Sequence, residues 1–518
     1  MPYDYAPFPY RRPPGLDAPE PRHPVVIVGA GPVGLAMALE LANHGVPSVV
    51  VDDNDVVSVG SRAICWSKRS LEIFDRLGIA EQAVEKGVTW KVGRTFHGDR
   101  EVFNFDLLPE DAHQFPAFVN LQQYYVEQYL AERALAEPLV DLRFKNRVTG
   151  VDKTSGRLEI ETPDGPYALE AEYVLACDGA RSPLRDMLGL SFEGQTFEER
   201  FLIADIEMAK DSAPGGDTPE RHFWFEPTFH PGQSALLHKQ PDNIYRIDLQ
   251  LGWDADPEHE KRPEVVIPRI EKVVGHSDFR LDWVSVYTFR CARLDRFVHD
   301  RVIFVGDSAH VVSPFGARGG NGGLQDVDNL GWKLAAVLNG GDPGLIESYD
   351  RERVFAADEN IANSARATGF MTPASPVAAM FRDEVLALAG KTAFARPMVN
   401  SGRLSRPCIY PGNRADDPSL PDASRPGAVA PDAPEGNGWL LPQLARAPHL
   451  LALGCAAPDI GVAVISPEIT PEIRARYLGE ADQAIYLVRP DQVVAGRWTS
   501  ADETAIAEAV AALWAGQA

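Results

Sequence analysis

The sequence predicts an α/β protein in which one parallel-sheet domain is interrupted by an antiparallel sheet and followed by a smaller α/β unit. Three observations carry this reading. Short apolar runs that read as buried strands, VVIVG from Val25, SVVVD from Ser48 and YVLACDG from Tyr173, alternate with helical patterns as far as Leu190. From Ser191 to Val298 the pattern changes to aromatic-rich alternation, in HFWFEP, QSALLHK and NIYRIDLQLGW, which suits antiparallel strands. A further apolar strand, RVIFVGD, then precedes a long helical stretch, so the middle segment reads as an insertion into one α/β domain.

In chain order, residues 1–24 are rich in proline and charge with no apolar run, and are expected to be a flexible or surface-draped leader. Residues 25–190 form the first part of the α/β domain, 191–298 the inserted sheet, and 299–405 the second part of the domain with a helical region. Residues 406–437 carry Pro, Asp and Gly without periodicity and read as an extended connector. Residues 438–518 offer short strands in HLLALG, GVAVIS and AIYLVRP and a closing helix, TAIAEAVAALW.

Composition removes several function classes. With 518 residues the chain is long enough for more than one domain, and a formal charge of −24 repels polyanions, so neither nucleic acid nor an anionic membrane surface is expected as a partner. No apolar run approaches the length of a membrane span. The five cysteines are scattered, form no CxxC pair and build no Cys/His metal cluster, which fits a reducing compartment, a cytoplasmic protein and no metal. Homo-oligomerisation is left open.

The strongest motif is VVIVGAGPVGLAMALELANHGVPSVVVDD: a buried strand, a glycine-rich turn, a helix ending at Gly45 and a second strand ending in acid. Gly29 permits the tight turn, Gly31 lets backbone approach a pyrophosphate, and Gly34 lets helix and sheet pack closely. Pro32 suits the first helical turn. Asp52 lies 23 positions after Gly29, where a ribose-binding carboxylate belongs, with Asp53 and Asp55 as rivals. This Rossmann-like unit predicts dinucleotide binding without separating NAD from FAD. Two later segments bear on that choice. In CDGARSPLR a strand ends at Asp178. In RVIFVGDSAHVVSPFGARGGNGGLQDVDNLGWKLAAVL a buried strand ends at Gly306 and Asp307, and Gly316, Gly319, Gly320, Gly322 and Gly323 would let a flat ring lie against bare backbone at a helix start.

These segments, GAGPVG, CDG and GDSAHVVSPFGARGGN in that order, resemble the single-component FAD-dependent aromatic hydroxylases, typified by para-hydroxybenzoate and 3-(3-hydroxyphenyl)propionate hydroxylases. Lesser matches are GSRAICWSKRSLEIFDRLGI and LQQYYVEQYL. YLVRPDQVVAGRW is similar to the end of the thioredoxin-like extension of some members, here without a CxxC. The resemblance implies that Asp52 holds the adenosine ribose, although the family more often has Glu there. It further implies that Arg62 meets the pyrophosphate and Gln123 the ribityl or pyrophosphate region, and that Asp178 lies near the flavin and the nicotinamide path. Asp307 would bind ribityl hydroxyls, Pro314 would border the oxygen-reaction site, and the backbone from Gly319 through Gly320 to Asn321 would meet the pyrimidine end. His310 reads as structural.

The implied reaction is reduction of FAD by NADH or NADPH, reaction with dioxygen to a flavin C4a-hydroperoxide, and oxygen transfer to a small phenolic or other activated aromatic substrate. A Baeyer-Villiger or epoxidising reaction on the same fold, or a non-monooxygenase NAD/FAD oxidoreductase, are the alternatives. An NAD-dependent dehydrogenase would leave the Asp178 and Asp307 segments unexplained. The inserted sheet should supply the substrate pocket, with Trp224, His238, Tyr245 and Arg246 as candidates on its strands.

Overall fold

The structure, a computed structural model, describes residues 3–108, 110–209, 219–252, 254–314, 316–373, 375–399, 406–412 and 414–517. Its first strand, β1 (His23–Val28), lies at the centre of a parallel sheet because both of its faces are covered: Val25, Val26 and Ile27 are 0% exposed. β1 pairs in parallel with β2 (Ser48–Val51) on one side and with Gly165–Ala176 on the other, and Val140–Arg143 and Val302–Phe304 extend the sheet at either end. Helix α1 (Pro32–Asn43) follows β1 with Gly31 as its N-cap and Pro32 in its first turn, and stops where Gly45 takes a φ of 74°. The helix Gly319–Leu338 packs across α1.

The inserted segment forms an antiparallel sheet of Glu193–Glu207, Arg221–Phe225, Ser234–Lys239, Ile244–Leu251 and Arg280–Arg293. The sheet is not confined to 191–298. Val92–His97 pairs in parallel with Arg221–Phe225, and Arg100–Asp106 continues the edge, so the first segment of the α/β domain contributes two strands. One face of the sheet is apolar, with Leu202, Ala204, Leu237, Ile247 and Leu249 packed on Val266 and Ile270 of the helix Pro263–Val274.

Three of the expected segments, the leader, the connector and the C-terminal unit, are held more closely than their composition predicts. Of the two readings of the leader, the draped one holds: Phe8 N–H donates to the Asp55 carbonyl at 2.7 Å, Phe8 stacks on Phe144 at 4.7 Å, and Glu20 pairs with buried Arg143 at 2.7 Å. The connector is anchored through buried Tyr410, whose hydroxyl accepts from Arg353 at 2.8 Å. The expected boundary at 405 lies outside the described residues. The C-terminal unit has a four-stranded sheet in which His449–Leu453 pairs in parallel with Ala463–Ile465 and antiparallel with Ala484–Val488, which pairs with Val494–Trp498; the helix Glu503–Trp514 closes it. Its turn after Val488 enters the main domain. There Arg489 pairs with Glu352 at 2.6 Å, and Gln492 accepts from Arg69 at 2.7 Å and Arg76 at 2.6 Å, Arg69 being the second residue of α2 (Lys68–Leu77). This unit keeps an apolar core of its own, around Leu451, Tyr477 and Tyr486, and packs on Trp332 and Leu345 of the α/β domain. No helix among the described residues is long and apolar enough to cross a membrane.

Candidate functional site

The glycine-rich turn is shaped by close approach at two positions and by open space at a third. A Cβ on Gly29, whose φ is 108°, would lie 2.4 Å from the Cys177 carbonyl oxygen, and one on Gly34 would lie 1.9 Å from the Gly29 carbonyl oxygen. A Cβ on Gly31 would meet nothing within 4 Å, so the backbone there faces a cradle in front of the α1 N-terminus. Asp52 braces this turn. Its Oδ2 accepts from Ala30 N–H at 2.6 Å and its Oδ1 from Asn54 N–H at 2.8 Å, which ties the end of β2 to the turn after β1. The short acid thus uses one lone pair of each oxygen on its own backbone and leaves the others open.

Loop 58–63 forms the next wall. Ser58 N–H and hydroxyl donate to buried Glu127 at 2.5 and 2.7 Å. Gln123 accepts from Ala63 N–H at 3.2 Å and donates to Glu127 at 2.7 Å. Gln123 therefore acts on this loop, and Arg62 at its tip, with a φ of 45°, keeps an exposed side chain. Asp178 accepts from Leu184 N–H at 3.0 Å through Oδ2, while its buried Oδ1 has no hydrogen-bond partner. It borders the glycine-rich turn because Cys177 and Asp178 are what Gly29 packs against.

The second half of the site is built from the strand Val302–Phe304 and the helix Gly319–Leu338. Gly306 (φ 68°) and Gly323 both press on Val33 in the first turn of α1, where added Cβ atoms would approach to 3.0 and 2.7 Å. This fixes Asp307 beside the helix start, with Oδ1 3.9 Å from where a Gly319 Cβ would stand. The Asp307 carboxylate makes no hydrogen bond among the described residues, and burial pushes its pKa up. The helix start has no side-chain cap; Gly322 is the first N–H to bond back, to Arg318 at 2.7 Å, which leaves the N–H groups of Gly319, Gly320 and Asn321 directed outward. The Asn321 side chain is spent on structure: it accepts from Ser67 N–H at 2.9 Å and donates to Cys65 and Ala317 carbonyls at 2.8 and 2.6 Å. Pro314 stands at the exposed rim of the loop leading into this helix. His310 pairs with Asp326 at 2.7 Å, both buried, as expected of a structural imidazole.

The inserted sheet turns its other, partly polar face to this cleft. Asp205, Arg246 and His238 stand in one row across three neighbouring strands. Arg246 donates to Asp248 at 2.9 Å and to the Arg62 carbonyl, joining the sheet to loop 58–63. Burial and the two neighbouring arginines hold His238 neutral. Trp224 and Tyr245 are corrections to the expectation of a shared pocket. Strand alternation sends them to the opposite face, where Trp224 stacks on Phe96 at 5.4 Å and both join the apolar cluster against Ile270.

Three residues escaped sequence reasoning. Tyr287, paired with Phe201, lies on the cleft face, and its hydroxyl is pushed up by burial and by the charge of Asp307. Asp205 and Arg221 sit beside Arg246 and His238, a neighbourhood set by the register between strands, of which alternation within one strand gives no sign.

The residues present fit a flavin dinucleotide: an open cradle at Gly31, an unpartnered carboxylate at Asp307 and an uncapped glycine-led helix start share one cleft. Residues 22–364 match the family described as FAD binding domain, and the chain belongs to that family. It is an FAD-dependent monooxygenase. It is 30% identical over 492 residues to a flavin-dependent monooxygenase of Mycobacteroides abscessus, covering 90% of this chain and 95% of that one. It is 32% identical over 379 residues to the 3-(3-hydroxy-phenyl)propionate/3-hydroxycinnamic acid hydroxylase 2 of Burkholderia vietnamiensis, covering 71% and 67%. Among solved structures, the flavin-dependent monooxygenase PieE in complex with FAD and substrate shares the fold with a TM-score of 0.80 at 23% identity, over 97% of this chain and all of that one. The p-nitrophenol 4-monooxygenase of Pseudomonas putida superposes with a TM-score of 0.65 at 25% identity, over 74% and 98%.

Two variants probe these assignments. Asp307→Ala should leave the fold intact, since the carboxylate makes no hydrogen bond among the described residues, yet weaken FAD binding roughly 10- to 100-fold through loss of a charge-assisted hydrogen bond; titration of the apoprotein followed by flavin fluorescence reads this. Asp205 is 3% exposed, and burial raises its pKa to about 6. A carboxyl raised in the folded state favours folding at low pH, and that contribution is lost as pH rises from its ordinary value through about 6. Asp205→Asn should therefore melt higher than the parent at pH 7.5, by about 1–3 kcal/mol, with the gap closing at pH 4.5. A pH-independent gap would show that Asp205 does not titrate in this range.

Proposed function

We propose that this protein inserts one oxygen atom of dioxygen into a phenolic or otherwise activated aromatic ring, with NADH or NADPH as electron donor. The observation that carries the reading is the polar row of Asp205, Arg246 and His238 on the sheet face opposite the flavin cleft. The names of the relatives, a phenylpropionate hydroxylase and a nitrophenol monooxygenase among them, support an aromatic substrate.

Bound FAD supplies the electron transfer and oxygen chemistry. The residues of this chain set its surroundings. Arg246, fixed by Asp248 and by the Arg62 carbonyl, places a buried positive charge where it favours an anionic phenolate over the phenol. His238, neutral and with its buried Nδ1 lacking a partner, is positioned to exchange a proton with a ring hydroxyl. Pro314 and the backbone from Gly319 to Asn321 would border the ring of the bound flavin, and the inserted sheet would have to keep bulk water from the reacting ring. In the C-terminal unit, a parallel strand pair joined to an antiparallel hairpin supports the thioredoxin-like reading. Its single cysteine, Cys455, provides no dithiol, so we assign the unit a packing role.

The test is a panel of phenolic acids, simple phenols and polycyclic phenols assayed with the flavin-loaded protein for stimulated NADH or NADPH consumption and a hydroxylated product. Stimulation matched by product supports the reading. A flavin-loaded protein that no aromatic compound stimulates overturns it.

A further inference from the structure

Residues 52–63, which run from Asp52 to the loop that carries Arg62, contain no strand or helix. Their shape is therefore set by what grips them. Two grips, Glu127 on Ser58 and Gln123 on Ala63, come from the helix Gln123–Leu135. Two more come from the leader. The Asp55 carbonyl accepts from Phe8 N–H at 2.7 Å, and Gly60 N–H donates to the Tyr5 hydroxyl at 3.1 Å. Gly60 is pinned from a second direction as well, because its φ is 83° and a Cβ there would stand 2.3 Å from the Trp283 ring. Arg62, with its φ of 45°, follows two residues later.

The sequence of the leader suits it to hold this loop. Tyr3, Tyr5, Phe8 and Tyr10 are half-buried, while Asp4, Ala6, Pro7 and Pro9 between them are exposed. Pro7 and Pro9 fix φ, so ordering this stretch costs less chain entropy than ordering a flexible one. The Tyr3 and Tyr5 rings pack on each other at 4.8 Å and on Tyr124 at 4.2 and 5.7 Å, and the Tyr3 hydroxyl donates to Gln128 at 2.8 Å. Tyr124 and Gln128 belong to the same helix as Gln123 and Glu127. Leader, helix and loop thus brace one another in a closed triangle. A loop held in its bound shape before a ligand arrives spares that ligand the cost of ordering it.

We infer that the leader is a strap that presets the cofactor loop, and that Tyr5 is a positioning residue for FAD. Its hydroxyl fixes Gly60 so that Arg62 stands ready for the pyrophosphate. This rests on the placing of Arg62 at the pyrophosphate and is independent of the substrate.

The experiment measures FAD dissociation constants of the apoprotein by flavin fluorescence, for the parent, Tyr5→Phe, Arg62→Ala and the double variant. Tyr10→Phe is the control, since the Tyr10 hydroxyl belongs to the same leader but bonds Asp164, at 3.1 Å. Tyr5→Phe keeps the ring and removes only the acceptor for Gly60. It should weaken FAD about three- to tenfold, the scale of one hydrogen bond, while Tyr10→Phe binds as the parent does. Melting of the apoprotein should be unchanged and hydrogen exchange at the Gly60 amide faster, because the opening is local. In the Arg62→Ala background the penalty of Tyr5→Phe should fall below about twofold, since two groups acting through one contact are not additive. Unchanged FAD affinity in Tyr5→Phe or in Arg62→Ala, an equal loss in Tyr10→Phe, or a Tyr5→Phe penalty undiminished in the double variant would each overturn the inference. No turnover enters these measurements. Failure of the strap therefore leaves the proposed oxygenation standing, and an absence of hydroxylation leaves the strap standing.

Discussion

An Asp326→Ala variant is expected to lose about 3–5 kcal/mol of stability, the cost of leaving a buried charge without its partner. Asp326 is completely buried and accepts from Gly306 N–H at 2.9 Å, from His310 at 2.7 Å and from Arg353 at 2.5 Å. Burial alone would raise its pKa, but His310 and Arg353 hold it below the ordinary carboxylate range, so the group is ionised and paired. Removing it strands Arg353, which is also fully buried, and frees the turn that carries Asp307. Urea denaturation should show a lower midpoint at an unchanged slope, with weakened retention of FAD. A midpoint shift worth less than about 0.5 kcal/mol, the scale of an ordinary surface substitution, would contradict this account of the network.

Gly29→Ala should abolish tight FAD binding while leaving most of the chain folded. Two constraints meet at this residue: a φ of 108°, which residues with a Cβ rarely adopt, and a Cβ position 2.4 Å from the Cys177 carbonyl oxygen. The strain of about 1–3 kcal/mol and the clash with backbone cannot be relieved by a rotamer change, so the turn must move away from the end of the strand Gly165–Ala176. We expect less than a tenth of the parent's flavin content after purification, a change of about 1.4 kcal/mol or more in binding. Gly31→Ala, placed where a Cβ meets nothing in the protein, separates the two effects. It should fold as the parent does and weaken only the cofactor. Equal flavin content in all three proteins would remove the turn from the site.

The parts of this molecule that were legible in its sequence are those whose signals are local. β1, its turn and α1 announce themselves because strand, glycines, Pro32 and terminal acid fall within one short stretch. The helix start at Gly319 and the strand end at Asp307 are readable for the same reason. What could not be read depends on partners far along the chain. Val92–His97 joins the inserted sheet through pairing with Arg221–Phe225, and nothing near residue 92 specifies that edge. The leader carries the composition of a flexible tail, yet Phe8 and Glu20 find Phe144 and Arg143. The buried turn at Arg489 and Gln492 resembles any polar turn until Glu352 and Arg69 are placed against it. In the substrate sheet the error was one of side. Tyr245 and Arg246 are adjacent in sequence and must therefore face opposite ways, so they could not share one pocket, but that Asp205 and Arg221 stand on the side of Arg246 is set by pairing between strands far apart in the chain.

The most direct test of the central claim is turnover of a stimulating aromatic substrate under heavy-isotope dioxygen, with the product analysed by mass spectrometry. The account predicts one labelled oxygen atom per product molecule, bonded to the ring, and none when the label is supplied in water. Product whose added oxygen comes from water, or reduced nicotinamide consumed only to hydrogen peroxide for every aromatic compound, would contradict it.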